Sequence, residues 1–278
     1  MCQSIIISMK RVVLKFGGAA VASPENILRI ADLIERRSRE VDEIVVVVSA
    51  MANATDQLLE LAQKIHPFPP KREQDMLTSV GERISMSLLA MALDLKGKEA
   101  ISLTGSQAGV ITTSQHAEAK IIEIRPKRIL QGLKQQKIVI VAGFQGVSHE
   151  GEVTTLGRGG SDTTAVALAV ALQADKVEFY KDVPGIFNED PKKNREASLF
   201  SHLTYSEALL IIQEGAKVLH QRCVLLAEKN QMPLQVLSFI HPDLAKGSWI
   251  GKASSSEKSF SPIYESASEE DLIEMALT

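Results

Sequence analysis

Cysteine is nearly missing from this sequence. Its two thiols, Cys2 and Cys223, lie far apart along 278 residues and have no metal-ligand spacing. Neither a disulfide framework nor a thiolate metal site is expected, and a reducing, cytoplasmic setting is. Cys223 falls in a helical pattern and reads as a buried packing thiol. An excess of basic charge is missing too: 31 Lys and Arg stand against 34 Asp and Glu, a net charge of -3, so there is no electrostatic footprint for nucleic acid. The histidines, His66, His116, His149, His202, His220 and His241, are scattered without ligand spacing, so no metal-ligating residues are expected. Long apolar runs are absent as well. "IVVVV" and "AVALAVAL" are too short to cross a bilayer, and "MCQSIIISMKR" has no true hydrophobic segment or cleavage site of a leader. No membrane partner is expected. Met9, just before the first clear strand, could serve as an alternative start.

What is present is the composition of a soluble globular protein, 45% hydrophobic and 23% charged, long enough for one large domain or two small ones. "RVVLKF" is a short β-rich run closed by Gly17 and Gly18. The following "SPENILRIADLIERRSREV" spaces Ile27, Ile30, Ala31 and Ile34 as a helix, with Ser23 as N-cap and Pro24 at its first position. "EIVVVVSA" and "KIVIVAGF" are unbroken apolar strands of the kind buried on both faces of a parallel sheet. "LTSVGERISMSLLAMAL" reads as a buried helix, "VSHEGEVTTL" as a hairpin turning at His149 to Gly151, and "KVEFYKDV" as a strand. "PGIFNEDPKK" is a polar loop; "TYSEALLIIQEGAKVLHQRCVLLAEKN" holds two helices around Gly215; "LQVLSF" is a late strand. The alternation predicts an α/β fold: an open, mainly parallel sheet with helices on both faces, a three-layer αβα sandwich. After Gly251 the pattern fades into a tail rich in Ser and Glu. No internal repeat is visible.

In open α/β sheets, ligands gather beyond the carboxyl ends of the strands, and two glycine-rich turns fall there. In "LKFGG", Gly17 and Gly18 admit a phosphate to backbone amides and Lys15 supplies a point charge, although a plain strand-to-helix joint looks the same. It matches neither standard phosphate-loop fingerprint. In "TTLGRGGSDTTAVALAVAL", three glycines precede a helix, freeing its amides for an anion, and Arg158 offers a bidentate fork. The bland alternative is a helix capped by Ser161 or Asp162. Capping leaves the three glycines without a purpose. Ser49 and Thr55 in "VSAMANATD" either touch a ligand or cap the next helix. Glu82 of "SVGERIS" either binds a cation or pairs with a neighbour. Asp182 stands just past a strand end, where a carboxylate can take ribose hydroxyls or simply close a turn. Lys217 of "EGAKVLH" falls at a predicted helix start, where a lysine opposes the dipole unless it faces an anion.

"VLKFGG", "VVVVSAMANATDQL", "SVGERIS", "TTLGRGGSDTTAVALA", "KDVPGIFNEDPK" and "EGAKVLH" occur in that order. Together they closely resemble the catalytic domain of the aspartokinase family, in the amino acid kinase superfamily, from roughly Arg11 to Gly251. The resemblance implies the amino acid kinase (carbamate kinase-like) fold. It divides the chain into a catalytic domain over 1–251, aspartate-binding part first and ATP-binding part second, and a tail over 252–278 without the family's ACT domains. It implies transfer of phosphate from ATP, with Mg²⁺ held mainly through nucleotide oxygens and water, to the β-carboxylate of L-aspartate. This would be the first step toward lysine, threonine, methionine and diaminopimelate, insensitive to lysine or threonine. By motif, Lys15, Gly17, Gly18 and Lys217 would line the phosphates, and Lys181, Asp182, Phe187 and Lys192 would border the nucleotide. Ser49, Thr55, Glu82, Phe144, Arg158 and Ser161 would hold aspartate, Arg158 on its α-carboxylate and Glu82 near its ammonium; Asp162 would orient the lysines. The apolar helices point to a homodimer. The sequence departs from the family at Ala19-Ala20, where Thr-Ser is usual, at Lys181, where Thr is usual, and at Gln221, where Pro is usual. Another acid acceptor, or a weakened homologue that binds nucleotide as a regulatory subunit, are the competing readings.

Overall fold

Unbroken apolar strands need cover on both faces. The computed structural model, which describes residues 9–189, 194, 196–242, 246–251 and 261–265, supplies it. The first half of the chain contains β1 (Arg11–Phe16), α1 (Pro24–Arg37), β2 (Glu43–Val48), α2 (Ala54–Ile65), α3 (Lys71–Thr78), α4 (Val80–Asp94) and β3 (Ala100–Leu103). Next come α5 (Gly105–Ala108), β4 (Val110–Thr112), β5 (Ile121–Ile124), α6 (Lys127–Lys134), β6 (Ile138–Ala142), β7 (Gln145–Val147) and β8 (Val153–Thr155). The rest is α7 (Gly160–Ala171), β9 (Lys176–Lys181), β10 (His202–Leu203), α8 (Tyr205–Gln213), α9 (Gln221–Lys229), β11 (Leu234–Ser238) and β12 (Ser248–Ile250).

The main sheet has eight strands in the order β10-β12-β11-β9-β1-β2-β6-β3, parallel throughout except where β12 runs against β11. Strand alternation assigns its two faces. Val13, Val45, Val47, Val139, Val177 and Phe179 look toward α7, α9 and α6. Val12, Leu14, Phe16, Val46, Ile140 and Tyr180 look toward α1 and α4. The three layers are those read from the sequence, and α1 starts as expected, with Ser23 Oγ accepting from the Asn26 amide and Pro24 at the first position.

The structure adds elements the pattern did not resolve. The hairpin β7–β8 is as predicted, but it belongs to a second sheet of four short strands, β5-β4-β7-β8. Helix α7 is buried on every side, as a helix that is apolar all round must be. Its N-cap is Gly159, not Ser161 or Asp162. Gly159 takes a left-handed φ of 74°, and a Cβ there would lie 2.2 Å from the His220 ring. Lys217 is not at a helix start: α9 opens at Gln221 with His220 as its cap, and Lys217 lies exposed in the preceding loop. Ser49 and Thr55 do not cap α2 either, whose N-cap position is Asn53. Nor is the region after Gly251 wholly apart from the domain. Asn230 exchanges two hydrogen bonds with the Ile263 backbone, at 2.7 and 2.8 Å, and Tyr264 packs on the core. Glu265 accepts from the Ile121 amide and pairs with Arg222.

Candidate active site

Alternation along β1 sends Lys15 to the same face as Val13, toward α7. There its Nζ lies 2.5 Å from Asp162 in the first turn of α7, and Lys181, the last residue of the neighbouring strand β9, lies 3.6 Å from the other carboxylate oxygen. This is the point where β1 stands between the outward-running halves of the sheet, the crevice where ligands collect in open α/β folds. Lys15 is only 4% exposed. Burial pushes its pKa down, with Lys181 adding to that and Asp162 opposing. Burial alone would raise Asp162, but Lys15 and Lys181 outweigh it and hold the carboxyl at about 2. Asp162 is thus ionised at any working pH and orders two cations whose remaining N–H groups are available for an anion.

The cluster opens into a cavity of about 560 Å³. Lys15, Gly18, Ser49, Thr55, Glu82, Phe144, Arg158, Ser161 and Asp162 all line it, although they come from five separate stretches of chain. Glu82, on the first turn of α4, is buried. One of its oxygens accepts from the Ala50 amide at 3.0 Å, and the other is buried with no partner among the described residues. Burial raises its pKa to about 7, against the pull of the Ala50 amide and of Lys15. An unsatisfied buried acceptor facing a cavity is a place for a ligand's donor. Arg158 stands exposed at the rim.

Backbone strain gathers here too. Among the described residues, six non-glycine residues have positive φ, and Asn53, Ala117 and Phe144 of these line the cavity. Phe144, at φ 67°, is held by Thr164 Oγ1, which accepts its amide, and by the Leu156 amide, which donates to its carbonyl.

The remaining predicted residues are placed differently. Gly17 adjoins the cluster, and a Cβ on it would stand 3.4 Å from Lys15 Nζ. Asp182 and Phe187 lie beyond β9, with Phe187 bridged to Leu199. Lys192 lies outside the described residues. Lys217 lines no part of the cavity and forms no ion pair among the described residues. The sequence reading missed Asp75, buried on α3 at the cavity wall. It accepts from Thr155 Oγ1 at 2.5 Å and from the Ala117 amide, and meets His116 Nδ1 at 2.7 Å, fastening the second sheet to the helical wall. The available signal was an acid just before an apolar helix, one of two there with Glu73. Among the described residues, no three His, Cys, Asp or Glu side chains come together as a metal cage.

The doubly covered parallel sheet thus gathers a lysine pair, the glycine-preceded start of α7 and a cavity at its carboxyl edge. Residues 10–238 match the model of the amino acid kinase family, and the chain belongs to that family. It is 52% identical over 231 residues to an aspartokinase of Mycobacterium tuberculosis, covering 83% of this chain and 55% of that protein. It is 49% identical over 230 residues to an aspartokinase of Bacillus sp., with 83% and 56% covered. The chain thus spans about half the length of the curated relatives it matches. Among solved structures it is similar to aspartate kinase from Synechocystis (44% identity, TM-score 0.78, covering 90% of this chain and 41% of that one). It is also similar to E. coli aspartokinase III in complex with aspartate and ADP (27% identity, TM-score 0.79, covering 88% and 65%).

Proposed function

We propose that this chain transfers the γ-phosphoryl group of ATP to the β-carboxylate of L-aspartate, giving 4-phospho-L-aspartate at the entry to lysine, threonine, methionine and diaminopimelate synthesis. One observation carries the reading: a single cavity joins the Lys15–Asp162–Lys181 cluster to an unsatisfied Glu82 oxygen and the Arg158 fork. The first group suits phosphates. Glu82 and Arg158 suit an amino acid's ammonium and α-carboxylate. The complex of E. coli aspartokinase III with aspartate and ADP supports the same pair of ligands for this relative.

The chemistry asks little of proton transfer. A carboxylate is already ionised at neutral pH, so its oxygen attacks the γ-phosphorus directly. The bond from phosphorus to the β,γ-bridging oxygen breaks, and ADP leaves with the electron pair. The obstacle is the approach of two anions, which fixed positive charge relieves. In our reading Lys15, Lys181, Gly17, Gly18 and the α7 amides hold the phosphates, and Asp182, Phe187 and Lys192 border the nucleoside. Ser49, Thr55, Phe144 and Ser161 complete the aspartate site. Lys217, exposed in the loop before α9, is the further cation we assign to the phosphates. Asp162 is taken up by two lysines, which suits Mg²⁺ held by phosphate oxygens and water; the ion supplies further charge neutralisation when bound. A cytoplasmic setting and homodimeric assembly belong to the same proposal; the buried thiol of Cys223 suits the first and the apolar surface of α4 the second.

The test is a hydroxylamine trap. Incubation with Mg-ATP and millimolar L-aspartate is expected to yield aspartate hydroxamate, with little from glutamate or acetylglutamate. No hydroxamate above background from folded protein refutes the reading, and a stronger signal from another acid reassigns the acceptor.

A further inference from the structure

Arg158 stands between Gly157 and Gly159, which take left-handed φ values of 70° and 74°. Backbone of that kind is loose unless something grips it. The grip comes from behind the cavity. Arg222, in the first turn of α9, donates from Nη1 to the Leu156 carbonyl and from Nη2 to the Ala119 carbonyl, the latter at 2.7 Å. Leu156 leads into the Gly157-Arg158-Gly159 stretch, and Ala119 follows Ala117. The two stretches already touch. The Ala119 amide donates to the Thr155 carbonyl at 2.9 Å, and a Cβ on Gly157 would lie 3.0 Å from the Ala117 carbonyl oxygen. Arg222 thus pins together the two segments that carry Ala117, Gly157 and Arg158 into the cavity wall.

Arg222 is itself held by an acid. Its Nε and Nη2 make a two-point contact with the Glu265 carboxylate, the Nη2 bond at 2.7 Å, so four of the five guanidinium N–H donors are engaged. The two side chains are only 22% and 13% exposed, a setting in which a charge depends on its partner. Glu265 belongs to the segment 261–265, which lies along the edge of the second sheet. Its amide donates to the Ile121 carbonyl at 3.2 Å, and its carboxylate accepts from the Ile121 amide at 2.9 Å, at the start of edge strand β5. The two bonds between Asn230 and Ile263 and the packing of Tyr264 fix the rest. A second cavity, of about 840 Å³, opens on this side. Arg222 and Glu265 line it, and Ala117, Gly157 and Arg158 form the wall that it shares with the first.

We infer that Arg222 is a positioning residue for the acid-binding end of the first cavity, and that Glu265 sets it. The segment 261–265 is then a strap whose seating tunes how firmly the acceptor's α-carboxylate is held. The inference rests on the reading of Arg158 as the contact for that carboxylate. Without Glu265 the guanidinium has no counter-charge. The open second cavity lets it turn to solvent, which releases both carbonyls. Lys15, Asp162 and Lys181 are carried by β1, α7 and β9, so the phosphate end keeps its geometry. The signature is a split: a weaker hold on the amino acid and an unchanged hold on the nucleotide.

Hydroxamate kinetics and amide hydrogen exchange test this together. Glu265→Ala is expected to raise KM for aspartate about tenfold, the worth of one charge-assisted contact, with KM for ATP and kcat changed by less than about twofold. Arg222→Met is expected to do the same or more. Arg222→Lys keeps the charge but reaches one carbonyl at a time, and is expected to recover part of the loss. In Glu265→Ala, exchange is expected to quicken over 117–121 and 155–160 and to stay as it was over β1. An unchanged KM for aspartate overturns the inference. Equal losses in kcat and both KM values, with a lowered melting temperature, overturn it too, because the strap is then only a stabiliser. A wild type that makes no hydroxamate refutes the proposed function instead, and exchange then decides alone: faster exchange confined to the two stretches upholds the grip, and unchanged exchange overturns it.

Discussion

Strand β9 carries a buried charge cluster on each face, and the two are built for different ends. Toward α1, Glu178 receives Arg37 Nη2 at 2.7 Å, Lys176 at 2.8 Å and the Tyr180 hydroxyl at 2.9 Å. Its donors are occupied elsewhere as well. Arg37 also pairs with Glu40, and Lys176 donates to Gln235 Oε1 at 2.7 Å and lies 4.7 Å above the Trp249 ring. Toward α7, Lys15 and Lys181 share one acceptor among the described residues, Asp162, and Lys181 also lies 5.9 Å from the Phe179 ring. Each ammonium has three N–H donors, so the first cluster is nearly saturated while the second has donors to spare. Saturated networks fix a structure. Donors left over beside a cavity wait for a ligand.

The contrast can be broken by removing a cation from each face. Lys15→Met is expected to lower kcat by about 10³-fold or more, because fixed charge at the transferring phosphoryl group supplies much of the rate. Lys181→Met is expected to cost less, about tenfold, since a more distant and partly hydrated charge acts more weakly. Hydroxamate kinetics on variants shown to be folded by circular dichroism check both, and a reversed order would make Lys181 the principal phosphate contact. On the other face, Arg37→Met strands Glu178 with fewer donors. It is expected to lower unfolding free energy by about 3–5 kcal/mol in urea titration, with turnover per folded molecule unchanged. Lost turnover at full stability would place the Glu178 cluster in the site.

The smallest effect follows from pH. Glu82 is raised from its ordinary 4.5 to about 7, by burial first, with the Ala50 amide and Lys15 opposing. A ligand ammonium beside it favours the ionised form, so aspartate binding is expected to release a proton near neutrality. Affinity should fall by up to about tenfold per unit as pH drops below about 7, and level off above it. Calorimetry in two buffers of different ionisation enthalpy reads the proton directly, and Glu82→Gln should flatten the profile. The sign for folding is opposite. A raised folded pKa means the native state holds this proton more tightly, so its contribution to stability is present at low pH and fades as pH rises from about 4.5 to about 7.

Local chemistry was legible in the sequence, and distant pairing was not. The Ser23 cap, the apolar strands and the β7–β8 hairpin follow from nearest-neighbour rules, and nine of the site residues drawn by motif line one cavity. The second sheet escaped notice because its strands have only three or four residues each, too few to show a period. Asp162 was taken as one possible cap for α7, yet a left-handed glycine fills that position and frees the carboxylate for Lys15 and Lys181. Lys217 was read as the start of a helix, but the turn at Gly215, φ 106°, and the cap at His220 leave it in a loop. The docking of Ile263 and Glu265 was invisible because their partners, Asn230 and Ile121, lie 33 and 144 residues away.

The place of β1 in the sheet also sets the order in which the molecule can be made. As the ribosome releases the chain, β1 meets β2 after a separation of only 32 residues, while its other neighbour, β9, is more than 160 residues behind. Lys15 is therefore among the first site residues to emerge, and both of its companions, Asp162 and Lys181, come much later. Closing so long a loop is slow, which gives this half of the sheet a high contact order and leaves an open β1 edge during synthesis. An unfinished chain carries a lysine with no counter-charge and an edge strand with no neighbour. Docking of α7 brings the counter-charge, Asp162, and insertion of β9 closes the edge and adds Lys181, so the cation pair is completed in the same step that closes the sheet.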